Sequence, residues 1–244
     1  MKRFPAELEE LLSPRGRKVL AGTDRACGVL AAGLRFVGAA DLLDPVKSRA
    51  ALRLLGRAMP DVLTAMDVPI PPSAITGMKK NYSERLPKTV RVQTAEMASA
   101  RSQGSIRASE IGLTAMLRSD SFHALAEALS GYRLREKRGT QVLCYHANDY
   151  SGPHNDHHPE EPDARLGYVD LHLTFCNEAV EHQWIVYEHG GHLGQVQSIA
   201  TLGGVSCYRL PLWHYTTPLA AKPGRAQDAR RWVLLGTFLD RSLP

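Results

Sequence analysis

The apolar pattern of this chain changes period once, after Gly131, and that change limits the possible folds more than any other feature of the sequence. Before it the spacing is helical. Asp24 stands at the head of a run through Val29, Leu30, Leu34 and Val37, and Asp44-Pro45 opens a second run through Leu52, Leu55 and Met59. Residues 121–130 form a third candidate helix, with a serine as N-cap and Gly131 as its stop. From Gln141 onward the apolar residues fall into short runs, at 141–145, 168–175, 182–187, 193–199, 205–212 and 231–239. Gly, Pro and Asn turns separate them, which predicts at least six strands of a sandwich or barrel. The expected class is α+β, with helices of the first half packed on a β core built by the second.

Between the two regimes, Pro69-Ile70-Pro71-Pro72 interrupts the helical part, and 78–105 reads as a loop with a possible strand at 89–93. At 244 residues the chain suits one domain, 1–244, in which 1–139 is mainly helical support and 140–244 carries the core. A hydrophobic fraction of 43% and a charged fraction of 23% are those of a globular protein, which excludes disordered, collagenous and disulfide-scaffold classes.

The net charge of +5 is spread along the chain without a basic run or interleaved aromatics, so a solvated basic surface is expected and a nucleic-acid partner is not. Cys27, Cys144, Cys176 and Cys207 show no CxxC pairing and read as thiols in a reducing compartment. The first residues lack the apolar core of a signal peptide, and the apolar stretch 29–43 is broken by Arg35 and Asp41. A cytoplasmic protein outside any membrane is the expectation.

Nine of the ten histidines lie from His146 onward, so metal chemistry belongs to the second half. His154-Asn155-Asp156 and, further on, His214 supply two imidazoles and one carboxylate. That set can cap one face of Fe(II) and leave the other open for a keto acid and dioxygen. His214 sits between Trp213 and Tyr215, where a strand would ordinarily bury an aromatic. Glu188-His189-Gly190-Gly191-His192 is not the helical zinc motif H-E-x-x-H, because its glycines break the required helix. A zinc hydrolase built from His157, His158, His182, His189 and His192 is therefore the weaker reading, and these are expected in loops around the metal mouth.

The second half resembles the Fe(II)/2-oxoglutarate-dependent dioxygenase superfamily. The resemblance is carried by Tyr145, by Asp149-Tyr150-Ser151-Gly152-Pro153-His154-Asn155-Asp156, by Gly190-Gly191-His192-Leu193, by Leu210-Pro211-Leu212-Trp213-His214, and by Arg230-Arg231-Trp232-Val233-Leu234-Leu235. It covers roughly 140–240 and implies a double-stranded β-helix, or jelly roll, as the catalytic core. It implies Fe(II) on His154, Asp156 and His214, with 2-oxoglutarate and O2 as cosubstrates. A small molecule would be hydroxylated, with release of succinate and CO2. The retained Asp156 argues against a halogenase, which lacks that carboxylate. The alternatives are a protein side-chain hydroxylase of the same superfamily and a non-catalytic β-helix domain that binds a ligand.

The resemblance also implies a basic residue in a late strand to grip the distal carboxylate of 2-oxoglutarate through two parallel hydrogen bonds. Arg231 is the first choice. Alternation places Arg231, Val233, Leu235 and Thr237 on one face and Arg230, Trp232, Leu234 and Phe238 on the other, so one of the two arginines points inward. Arg230 is second, and Arg225, in the loop Lys222-Pro223-Gly224-Arg225, is third. Tyr145 could donate to a cosubstrate carboxylate or be an ordinary half-buried strand tyrosine. Asp170, His172 and Thr174 share one strand face, a polar stripe that either lines the pocket, with His172 as a pocket residue, or faces solvent.

Overall fold

The computed structural model describes residues 2–70, 89–156 and 167–241. The first half supplies α1 (Pro14–Leu20), β1 (Phe36–Ala39), α2 (Pro45–Ala58), β2 (Leu63–Pro69), β3 (Thr89–Ala95), α3 (Gln103–Glu110), α4 (Leu113–Leu117) and α5 (Asp120–Ser130). The second supplies β4 (Leu134–Tyr145), β5 (Tyr150–His154), β6 (Tyr168–Cys176), β7 (Val180–His182), β8 (Trp184–His189), β9 (His192–Ser198), β10 (Leu202–Leu210), β11 (His214–Thr216), β12 (Ala220–Ala221) and β13 (Arg231–Asp240).

Eleven of the described strands form one sheet, ten of them along the hydrogen-bonded path β1-β10-β6-β13-β4-β3-β5-β11-β8-β9 and β2 beside β3; β7 and β12 make a separate pair. The path folds over at β3. Its 93–95 end pairs with β4, while Val90 and Arg91 pair with Ser151 and Tyr150 of β5. One strand thus serves two layers, β1-β10-β6-β13-β4 and β5-β11-β8-β9, and the result is a double-stranded β-helix. The free sides meet as well, since Phe36 of β1 stacks on Tyr187 of β8 with ring centroids 5.0 Å apart.

The period-two pattern decides what each face of the first layer does. Val169, Leu171, Leu173 and Phe175 of β6, Trp232, Leu234 and Phe238 of β13, and Val205 and Cys207 of β10 point outward into a core shared with the helices. The helices supply Ala51, Leu54 and Leu55 from α2 and Phe122, Leu125, Ala126 and Leu129 from α5. Phe175 and Phe122 are fully buried, and each side chain of that kind contributes about 1.5–3 kcal/mol of transfer free energy. Residues of the opposite phase line the space between the layers.

Helix ends follow side-chain chemistry. Asp44 caps α2 by accepting from the N–H groups of Val46 and Lys47, both at 2.9 Å, ahead of Pro45. α5 stops at Gly131, whose φ of 77° suits a residue without Cβ. Its cap is Ser119, one turn-step earlier than the expected serine; the Ser121 hydroxyl instead donates to Glu7 at 2.6 Å.

The expected helix after Asp24 does not form. Asp24 caps only a turn, accepting from Ala26 N–H at 2.9 Å, because Gly28 and Gly33 adopt φ of 70° and 106° and break the helical path before β1. The possible strand at 89–93 is present as β3, and α3 begins inside the segment read as a loop. Three strands of the first half join the sheet, so its contribution goes beyond helical support. Cys144, Cys176 and Cys207 are buried and all four cysteines are free thiols.

Candidate metal centre

A cavity of about 750 Å³ lies between the two layers. At one wall β5 and β11 are paired so that His214 stands directly opposite His154. Their rings sit 4.4 Å apart. Each ring is oriented from behind: His154 Nδ1 donates to the Gly152 carbonyl at 2.6 Å, and His214 Nδ1 to the Leu212 carbonyl at 2.7 Å. A carbonyl can only accept, so the proton is on Nδ1 and both Nε2 lone pairs face the cavity.

Asp156 follows β5 at a φ of 52°, a left-handed backbone rare outside glycine and asparagine. That turn sends its carboxylate back between the imidazoles, Oδ1 at 3.2 Å from His154 Nε2 and Oδ2 at 3.8 Å from His214 Nε2. Ligand atoms of all three residues lie within 4.8 Å of one another, and among the described residues no other His, Cys, Asp or Glu cluster is this compact. Two imidazoles with one carboxylate, and no thiolate, are a donor set that fits Fe(II) with coordination positions left open.

The electrostatics are those of a site short of one positive charge. Burial opposes protonation of His154, but the adjacent Asp156 carboxylate outweighs it and lifts the pKa above the usual histidine value. His214, also buried and facing His154, is pushed down to about 4. A divalent ion between the three would satisfy the carboxylate without protonating either ring.

Arg231 opens β13, buried at 3% exposure, with its side chain in the same cavity. Its Nε donates to the Ile199 carbonyl and its Nη1 to Gln183 Oε1, both at 3.1 Å, and its guanidinium carbon lies 5.0 Å from the centre of the Tyr145 ring. Burial lowers its pKa from the usual arginine value, yet a guanidinium remains cationic. Among the described residues no carboxylate pairs with it. Gln183, fully buried, is held in orientation because its amide N–H donates to the carbonyls of Asp149 and Thr217 at 3.2 and 3.0 Å.

Arg230 lies on the other strand phase. Its guanidinium turns onto the carbonyls of Gln227 and Ala229 at 2.9 and 2.8 Å, outside the cavity. Arg225 is exposed and pairs with Asp228 at 2.8 Å. Tyr145 is buried in the cavity wall, its hydroxyl 3.2 Å from Ser151 Oγ. His172 also lines the cavity, with Tyr208 Oη 3.1 Å from its Nε2. Asp170 joins it there, so that part of the polar stripe faces inward. Gln183, Ser206 and Tyr208 had no signal in the sequence, because their relevance depends on which strands pair. His189 and His192 flank the β8–β9 hairpin tip formed by Gly190 and Gly191, and His157 and His158 lie outside the described residues.

No protein-family model and no curated protein matches the chain. Solved structures do, and those similar to it include non-heme iron oxygenases. One is the non-heme alpha ketoglutarate dependent carbocyclase SnoK from nogalamycin biosynthesis, with 12% identity, 91% of this chain and 85% of that one covered, and a TM-score of 0.55. A second is a prolyl hydroxylase from Trichoplax adhaerens in complex with a hypoxia inducible factor peptide, at 12% identity, 93% and 91% coverage and TM-score 0.52. A third is an oxidoreductase of the 2OG-Fe(II) oxygenase family from Burkholderia pseudomallei, at 10% identity, 91% and 89% coverage and TM-score 0.51. At these identities the likeness is one of fold: the chain is built on the double-stranded β-helix that such oxygenases share, and the resemblance seen in its sequence extends to its architecture.

Proposed function

We propose that the protein is an Fe(II)- and 2-oxoglutarate-dependent oxygenase that hydroxylates a small molecule. The observation that carries this reading is the pairing, in one cavity, of a His154–Asp156–His214 cluster, whose Nε2 atoms and carboxylate converge, with a buried Arg231 that has no carboxylate partner among the described residues. A metal explains the first and a dicarboxylate the second. No helix of the described residues is long and apolar enough to cross a membrane.

In this reading His154, Asp156 and His214 hold Fe(II), which with 2-oxoglutarate and O2 supplies oxidation of a C–H bond and release of succinate and CO2. The remaining work belongs to the chain. Arg231 binds the distal carboxylate with whatever donors Ile199 and Gln183 leave free, and the Tyr145 and Ser151 hydroxyls donate beside it. The apolar walls, Val90, Val92, Leu143, Ile185 and Val233, exclude water from the reacting centre and favour a substrate with an apolar body.

The test is direct. Anaerobic addition of Fe(II) and 2-oxoglutarate together should produce a weak visible charge-transfer band, and oxygen should then release succinate. A non-catalytic binding domain would give neither signal, and a zinc hydrolase would retain zinc through purification without making succinate.

A further inference from the structure

The cavity carries a second buried charge that the reading above leaves unused. Across β10, β6 and β13 the register sets Tyr208, Asp170 and Thr237 in one row, with Ser206 and His172 in the next, and all five side chains line the cavity. Asp170 is 4% exposed. One of its oxygens accepts from the Thr237 hydroxyl at 2.7 Å, and the other lies 3.8 Å from His172 Nε2, which is itself engaged by Tyr208. No lysine or arginine pairs with Asp170 among the described residues. A buried carboxylate whose partners are one hydroxyl and one imidazole gains further stabilisation from a cation brought to it.

Its position relates it to the metal cluster. The Tyr208 ring is 5.3 Å from the His214 ring on one side and 5.2 Å from the His172 ring on the other, so a single aromatic residue separates the His154–Asp156–His214 cluster from the Asp170 subsite. Around that path the walls are apolar, with Met66, Val68, Ile185 and Leu210.

We infer that Asp170 determines substrate choice by taking a protonated aliphatic amine carried on an otherwise apolar small molecule, whose body crosses Tyr208 toward the metal cluster. The inference rests on the oxygenase reading for what happens at the far end of the substrate, but not for the binding of the amine. Charge selects an amine over an alcohol: a hydroxyl would supply a hydrogen bond to Asp170 and leave its charge unbalanced, whereas an ammonium does both. Tyr208, His172 and Ser206 then act as positioning residues.

The probes are cyclohexylmethylamine, its neutral isostere cyclohexylmethanol, and cyclohexanecarboxylate, titrated against the full chain by saturation-transfer NMR without metal. The amine should bind at least about tenfold tighter than the alcohol, the worth of a charge-assisted over a neutral hydrogen bond, while the carboxylate, whose cation is Arg231 at the other end, should bind no more weakly to Asp170→Asn than to the unaltered protein. Asp170→Asn should bring amine and alcohol to equal affinity. Equal binding of the two by the unaltered protein overturns the inference without any variant, as does an amine preference that survives Asp170→Asn. A second measurement adds Mn(II) and 2-oxoglutarate and reads relaxation of the probe protons. Enhanced relaxation of the bound amine supports both the subsite and its place beside the metal. Amine preference without enhancement upholds the Asp170 subsite and counts against the oxygenase reading instead.

Discussion

The two ends of the cavity solve opposite problems with the same strand. At the start of β13, Arg231 is a buried cation whose partners are a carbonyl and an amide oxygen; near its end, Thr237 faces Asp170, a buried anion whose partners are a hydroxyl and an imidazole. By strand rise the backbone positions of Arg231 and Thr237, the latter paired with Asp170, stand roughly 20 Å apart, and no ion pair joins Arg231 to Asp170 among the described residues. A buried charge without an opposite charge beside it is costly unless a partner is supplied. Held apart in one cavity with the histidine pair, the two charges would under the two proposals receive two ligands, an anion at one end and a cation at the other.

The largest effect is expected at the His154–Asp156–His214 cluster in the same cavity. His214→Ala should reduce 2-oxoglutarate decarboxylation to the uncatalysed level while circular dichroism stays that of the parent. Turnover that survives would remove the ligand role of His214. Next in size is Arg231→Ala. Truncating one partner of a buried charge pair costs about 2–5 kcal/mol, so the Kd for 2-oxoglutarate, measured calorimetrically with Mn(II), should rise by about 30-fold or more. A smaller rise would mean that the Arg231 end is not where the dicarboxylate sits.

Gln183→Leu sharpens the same end at lower cost. The amide accepts one hydrogen bond from Arg231 and is itself pinned by two carbonyls, so its loss frees the guanidinium to reorient without removing its charge. One hydrogen bond to a charged group, about 1.5 kcal/mol net, corresponds to roughly a tenfold rise in KM for 2-oxoglutarate, with kcat unchanged. A fall in kcat at constant KM would instead give Gln183 a part in the chemical step.

What the sequence disclosed follows a physical line between local and non-local information. His154 and Asp156 share a turn and His214 ends a short apolar run, so the cluster was visible in motif and spacing. Arg231 was separable from Arg230 because side chains in a strand alternate, which requires no knowledge of the neighbours. Gln183 and Tyr208 could not be found in this way. Gln183 matters because β7 and β8 bring it under Arg231, and Tyr208 because β10 pairs with β6. The absent helix after Asp24 was a different failure: the apolar spacing was right, and Gly28 and Gly33 within it overrode it by taking backbone angles that no helix contains.

The smallest expected effect is the most exacting test of strand phase. Arg230 is adjacent to Arg231 and carries the same charge, so a long-range electrostatic role in drawing in a dicarboxylate would make the two nearly equivalent. The geometry separates them: Arg230 spends its donors on the carbonyls of Gln227 and Ala229 at the surface, where water can replace it. Arg230→Ala should therefore change stability by no more than about 0.5 kcal/mol and leave the Kd for 2-oxoglutarate within about twofold. Thermal melts and the same calorimetric titration decide it. If Arg230→Ala weakens binding as much as Arg231→Ala does, the cation that receives the cosubstrate is shared between both faces of β13, and the contrast between the Arg231 and Asp170 ends loses its basis.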